Sequence, residues 1–134
     1  MAKKKETLCV CGSDSPYAVC CEPYHRESTY AETAEALMRS RYAAFVLFKP
    51  DYLINTWHET TRPANLALDR TQKWISLKII GTTLGGPADD IGEVEFVARF
   101  KVSGKAYRLH ERSRFRKEQQ RWYYVDGDLF EKHA

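Results

Sequence analysis

Cysteine is the residue whose placement in this chain carries the clearest chemistry. Cys9, Cys11, Cys20 and Cys21 follow the spacing Cys-x-Cys-x8-Cys-Cys, and no cysteine occurs after Cys21. A disulfide framework spreads its cysteines to close long loops, and adjacent cysteines bond each other only with strain. Four thiolates within reach of one tetrahedral centre suit Zn²⁺ better, and a closed Cys₄ set leaves no open coordination position for catalysis. The expectation is one structural zinc ion; a redox pair and unrelated free thiols are the alternatives. Gly12, Ser13, Asp14, Ser15 and Pro16 supply turns that can aim backbone N–H groups at the sulfurs. Tyr17 and Tyr24 could cover the site, and His25 is expected to be an ordinary surface histidine rather than a substitute ligand.

Among charged residues, Arg41 and Glu111 each interrupt an apolar face, so mutual pairing is the economical arrangement. If both instead line the mouth of a shared interior, Trp57, His58, Tyr107 and Trp122 complete a candidate ligand pocket. His58 and His110 invite an acid–base reading, but no nucleophile, base and orienting group come together, and no catalytic residue is assigned. Arg108, Arg112, Arg114, Arg116 and Lys117 form a basic stretch that could contact nucleic acid, with Lys3, Lys4 and Lys5 in support. Cross-strand acids opposite Arg112 and Arg114 would neutralise part of it.

These residues need elements to position them. The chain has 134 residues, 43% hydrophobic and 29% charged with a formal net charge of +3, which fits one globular domain with a short appendage. No secretory signal or membrane-spanning run is evident, so a cytoplasmic protein is expected. Thr29 or Thr33 can cap a helix running to about Phe48, with Ala34, Leu37, Met38, Arg41, Tyr42, Phe45 and Phe48 on one face. A second short helix is expected over 51–58 and a third over 63–69. Periodicity then changes to two: strands are expected over 73–80, with Ile75, Leu77 and Ile79 facing one way, and over 93–102, 105–116 and 121–125. A long connection is expected over 81–92. With Ser103-Gly104 as a two-residue turn, the central hairpin pairs residues whose numbers sum to about 207. Helices followed by a curved antiparallel sheet give an α+β arrangement.

Cys9-Val-Cys-Gly-Ser13 together with Cys20-Cys21 resembles the SEC-C motif, a zinc module of the preprotein translocase motor SecA. That resemblance implies a docking role toward a protein partner such as a chaperone or the ribosome. Ala36-Leu-Met-Arg-Ser-Arg-Tyr42, Thr56-Trp-His58, His110-Glu-Arg-Ser-Arg-Phe115 and Trp122-Tyr-Tyr-Val-Asp-Gly127 resemble the YchJ family, which joins a SEC-C motif to a nuclear-transport-factor-2-like cone. The resemblance implies a zinc module over 1–28 and a cone domain over 29–134. Some members carry a second SEC-C motif at the C-terminus, which this chain lacks. The function expected is a non-catalytic adaptor; the alternatives are a small-molecule-binding protein or enzyme using the cone, and a protein that binds RNA or the ribosome.

Overall fold

The computed structural model describes residues 7–130; the basic tail with Lys3, Lys4 and Lys5 lies outside them. Strands β1 (Gln72–Leu84), β2 (Ile91–Val102), β3 (Lys105–Glu118) and β4 (Arg121–Leu129) form one antiparallel sheet in the order β1-β2-β3-β4. Ahead of the sheet come α1 (Glu22–His25), α2 (Ala34–Val46) and α3 (Pro50–Asn55). The α+β architecture is that of a nuclear-transport-factor-2-like domain carrying an N-terminal cysteine cluster. No helix among the described residues is long and apolar enough to cross a membrane.

Helix α2 is the axis of the molecule. It starts where Thr33, in extended backbone, accepts the Ala36 N–H on its hydroxyl at 3.0 Å, satisfying one of the free donors of the first turn. Ala34, Leu37, Met38, Arg41 and Tyr42 are buried, as expected of that face; Phe45 is only half-buried. The chain leaves the helix after Val46, and Phe48 stands at φ 56° beneath the Arg70 guanidinium. Ser40, Ala43 and Ala44 are buried as well, since α3 brings Tyr52 and Leu53 against Ala44. The helix is therefore covered on two sides, by the sheet and by α3.

The third helix expected over 63–69 does not form. Leu66 and Leu68, two residues apart, both pack on the Ala44–Tyr52–Leu53 cluster, and that spacing puts two side chains on one side of an extended chain rather than of a helix. The connection after β1 is also shorter than expected. Its backbone passes so close under the start of α2 that a Cβ on Gly85 would lie 2.9 Å from the Ala34 Cβ. Gly85 sits at φ 82° and its carbonyl accepts the Ala34 N–H.

The central hairpin keeps one register from Val102↔Lys105 to Ile91↔Arg116. Both turn residues, Ser103 at φ 51° and Gly104 at φ 79°, are in the left-handed region that matches the twist of the strands. In β1 a bulge between Trp74 and Ser76 makes Ile75 the extra residue. Trp74, Leu77 and Ile79 consequently pack toward the core while Ile75 is 52% exposed, which corrects the expected inward set.

Candidate metal centre and cone cavity

The four cysteine sulfurs lie within 4.8 Å of one another and form no disulfide. Cys11 Sγ and Cys20 Sγ are 3.6 Å apart, and Cys20 Sγ and Cys21 Sγ 3.9 Å. A tetrahedral zinc with Zn–S bonds of about 2.3 Å has S···S edges near 3.8 Å, so the sulfurs present fit such an ion. Gly12 at φ 84° and Asp14 at φ 66° turn the loop back. The Cys9 N–H donates to the Ser15 carbonyl at 2.7 Å. The backbone at Cys11 and Ser13 favours ionisation of the Cys9 and Cys11 thiols, as peptide N–H groups near a thiolate do.

Cys9, Cys11 and Cys21 are buried; Cys20 alone is half-exposed and meets the Ser13 hydroxyl at 3.1 Å. The thiols compete for ionisation. A hydrogen bond from Cys21 holds Cys11 down to about 4, the same bond drives Cys21 well above its usual range, and burial pushes Cys9 up to about 11. One thiolate forms easily there and four only with a compensating cation.

His25 is not the surface histidine expected. Its Nε2–H donates to the Ser40 carbonyl of α2 at 2.8 Å, and Nδ1 accepts the Tyr17 hydroxyl at 2.7 Å. Burial holds its pKa below the usual 6.5, so the ring is neutral near pH 7 and clasps the cysteine module to the helix. Arg39 adds a second clasp, donating from Nη1 to the Cys11 carbonyl at 2.8 Å. Cys9, Cys11 and Cys21 belong to the same buried cluster as Leu37, Phe96 and Trp122.

Arg41 and Glu111 do not form the expected ion pair. Nη1 of Arg41 donates to the Leu53 carbonyl at 2.8 Å and the Thr56 hydroxyl at 2.6 Å, capping the end of α3. Its guanidinium lies 4.7 Å from the Tyr124 ring centroid and 5.3 Å from that of Trp57, positions that favour a cation. Glu111 accepts the Ser113 hydroxyl at 2.5 Å instead. Burial lowers the Arg41 pKa to about 10, leaving it charged at neutral pH.

Arg41, Glu111 and Trp57 do line one cavity of about 250 Å³, together with Trp74 and Tyr124. Three residues expected there lie elsewhere. His58 turns to the other side of the wall, where Nε2–H donates to Glu118 at 2.7 Å. Tyr107 stacks on Phe100 at the hairpin end and is 42% exposed. Trp122 is sealed at the closed end, its indole N–H on the Glu32 carbonyl at 3.1 Å. Trp74 and Tyr124 are aromatic lining residues that the expected set lacked; Tyr124 stands two residues after Trp122 on the same strand.

His58 also accepts on Nδ1 from Thr60, the hydroxyl at 2.7 Å and the backbone N–H at 3.2 Å. This hydroxyl–imidazole–carboxylate chain resembles a nucleophile relay. The N–H groups of Thr60 and Thr61 are both engaged within the turn, on His58 Nδ1 and the His58 carbonyl, so neither is free to stabilise an oxyanion. His110 donates to Glu95 on the opposite face of the sheet. The basic stretch is largely paired: Arg112 with Glu93 and Glu95, Arg114 with Asp126 and Asp128 of β4, and Arg116 with Glu118. Arg114 thus finds β4 rather than Glu93.

Residues 33–127 match the family described as the middle NTF2-like domain of YchJ. A UPF0225 protein of Polaromonas naphthalenivorans is 48% identical, covering 92% of this chain and 98% of the relative. A UPF0225 protein of Bordetella pertussis is 49% identical over 90% of this chain and 92% of its own length. The solution structure of a SEC-C motif containing protein from Rhodopseudomonas palustris superposes with a TM-score of 0.82 at 36% identity, covering 93% of this chain and 100% of that one. A crystal structure of a SEC-C motif containing protein from Psychrobacter arcticus gives 0.75 at 28% identity, covering 96% and 85%.

Proposed function

This chain belongs to the UPF0225, or YchJ-like, family, and on that premise we propose that it is a zinc-stabilised, non-catalytic adaptor that docks a protein partner through its cysteine module. The observation that carries this reading is the exposure of three aliphatic side chains on the module, Leu8 at 54%, Val10 at 38% and Val19 at 73%. Val10 lies between two cysteines and Val19 beside a third, so the metal would hold the segments that display them. Exposed apolar groups clustered on so short a segment suit recognition better than packing. The ion supplies a cross-link between the loop of Cys9 and Cys11 and the turn of Cys20 and Cys21. By its likeness to the SecA module, the partner is a chaperone or a ribosomal protein.

The experiment is affinity capture from bacterial cells with the parent chain and with Val19→Asp. Val19 is outside the core, so the variant should fold and keep its metal while losing the captured protein. An identical set of captured proteins in parent and variant would overturn the docking role of this surface. Changing Cys20 and Cys21 to serine is a weaker test, because Cys21 belongs to the core shared with the sheet.

A further inference from the structure

The cavity between α2 and the sheet holds a cation in no direct ion pair; Glu111, on the same lining, acts on it only from a distance. Arg41 is only 4% exposed, and among the described residues no carboxylate lies within 4.0 Å of it. Capping α3 occupies Nη1 alone. Nε and Nη2 make no hydrogen bond among the described residues, yet neither is sealed away as a buried unsatisfied atom. Both N–H groups therefore keep some surface, and the cavity that Arg41 lines is the space available to a ligand for them. A guanidinium edge in an apolar chamber is matched by a carboxylate, which neutralises the charge and can accept two parallel bonds.

The rest of the wall fixes the remainder of the ligand. Trp57, Trp74, Tyr124 and Phe96 surround the space and offer ring faces to a flat molecule. Its volume of about 250 Å³ falls below the range of roughly 300–1,000 Å³ usual for larger ligands, so one ring with short substituents is the fitting size. Glu111, on the same lining, keeps Oε2 on Ser113 and leaves Oε1 without a donor among the described residues. A hydroxyl on the ring would satisfy it. We propose that the cone cavity binds a small aromatic hydroxy acid, its carboxylate on Arg41 and its hydroxyl on Glu111. The proposal does not depend on the adaptor reading, and the Val19→Asp chain should bind this ligand as the parent does.

The test is a titration of the metal-loaded full chain with 4-hydroxybenzoate, followed by NMR of its three tryptophan indoles. Trp57 and Trp74 line the cavity and Trp122 does not, so the first two signals should shift saturably while the third stays in place. The uncharged analogue 4-hydroxybenzyl alcohol should bind at least about tenfold more weakly, the factor expected for losing a hydrogen bond to a charged group. Benzoate, lacking the hydroxyl, should also bind more weakly, and Glu111→Gln should narrow that gap. Arg41→Met should remove the preference for the acid over the alcohol. Because Arg41→Met also uncaps α3 and could fail to fold, the acid–alcohol comparison on the parent chain decides alone. Equal binding of the two, or no shift of Trp57 and Trp74 with any of these probes, would overturn the proposal.

Discussion

A carboxylate that accepts a hydrogen bond from a buried imidazole contributes stability only while it is ionised. The bond from His58 holds the Glu118 carboxyl below its ordinary value of 4.5. Its contribution is complete above that value and is lost as the pH falls through the lower folded value. Glu118→Gln should therefore be less stable than the parent at neutral pH, and the two should converge as the pH drops below 4.5, a difference read by urea titration at each pH. At this scale the sequence was a good guide to the cysteine cluster, whose four sulfurs do come together in space. It was a poor guide to Arg41. Burial was readable from the helical stripe, but the acceptors chosen were the Leu53 carbonyl and the Thr56 hydroxyl, and a backbone carbonyl leaves no mark in a sequence. His25 was misjudged for the same reason, since its partner is the carbonyl of Ser40.

Elements were legible where local chemistry agrees with tertiary packing. Ser103-Gly104 fixed the register of the whole central hairpin, because two adjacent residues with positive φ leave a single way to pair the flanking strands. The bulge at Ile75 was not legible, since the alternation Ile75, Leu77, Ile79 is itself apolar, whereas in the fold Trp74 faces Phe100 and the register shifts after it. Thr29 and Thr33 competed for the start of α2, and the close approach of Gly85 to Ala34 decides for Thr33. Removing that cap with Thr33→Ala should lower stability by about 1 kcal/mol, the usual worth of a threonine N-cap, with no change in metal content. Denaturant unfolding and metal analysis of the same sample check both halves of the expectation.

At the scale of the molecule, the cysteine module and the cone share one core. Leu37, Phe96, Phe115 and Trp122 are in the same buried cluster as Cys9, Cys11 and Cys21. Stripping the metal should accordingly lower the thermal midpoint of the entire chain in a single transition, rather than melt the module and leave the sheet at its original temperature. Calorimetry with and without a chelator would show it; two separated transitions would mean the module unfolds alone. The sequence could place the cysteines but not the clasps from His25 and Arg39 that tie them to α2, since both clasps end on backbone carbonyls.

The uneven burial of the sulfurs bears on time as well as on energy. With Cys20 half-exposed and the other three enclosed, a chelator or an oxidant attacking a bound ion would have one doorway. Release of such an ion would still wait for the three enclosed sulfurs to be freed by opening of the fold, so its half-life should level off as chelator is raised, turning the centre into a slow clock rather than a freely equilibrating buffer.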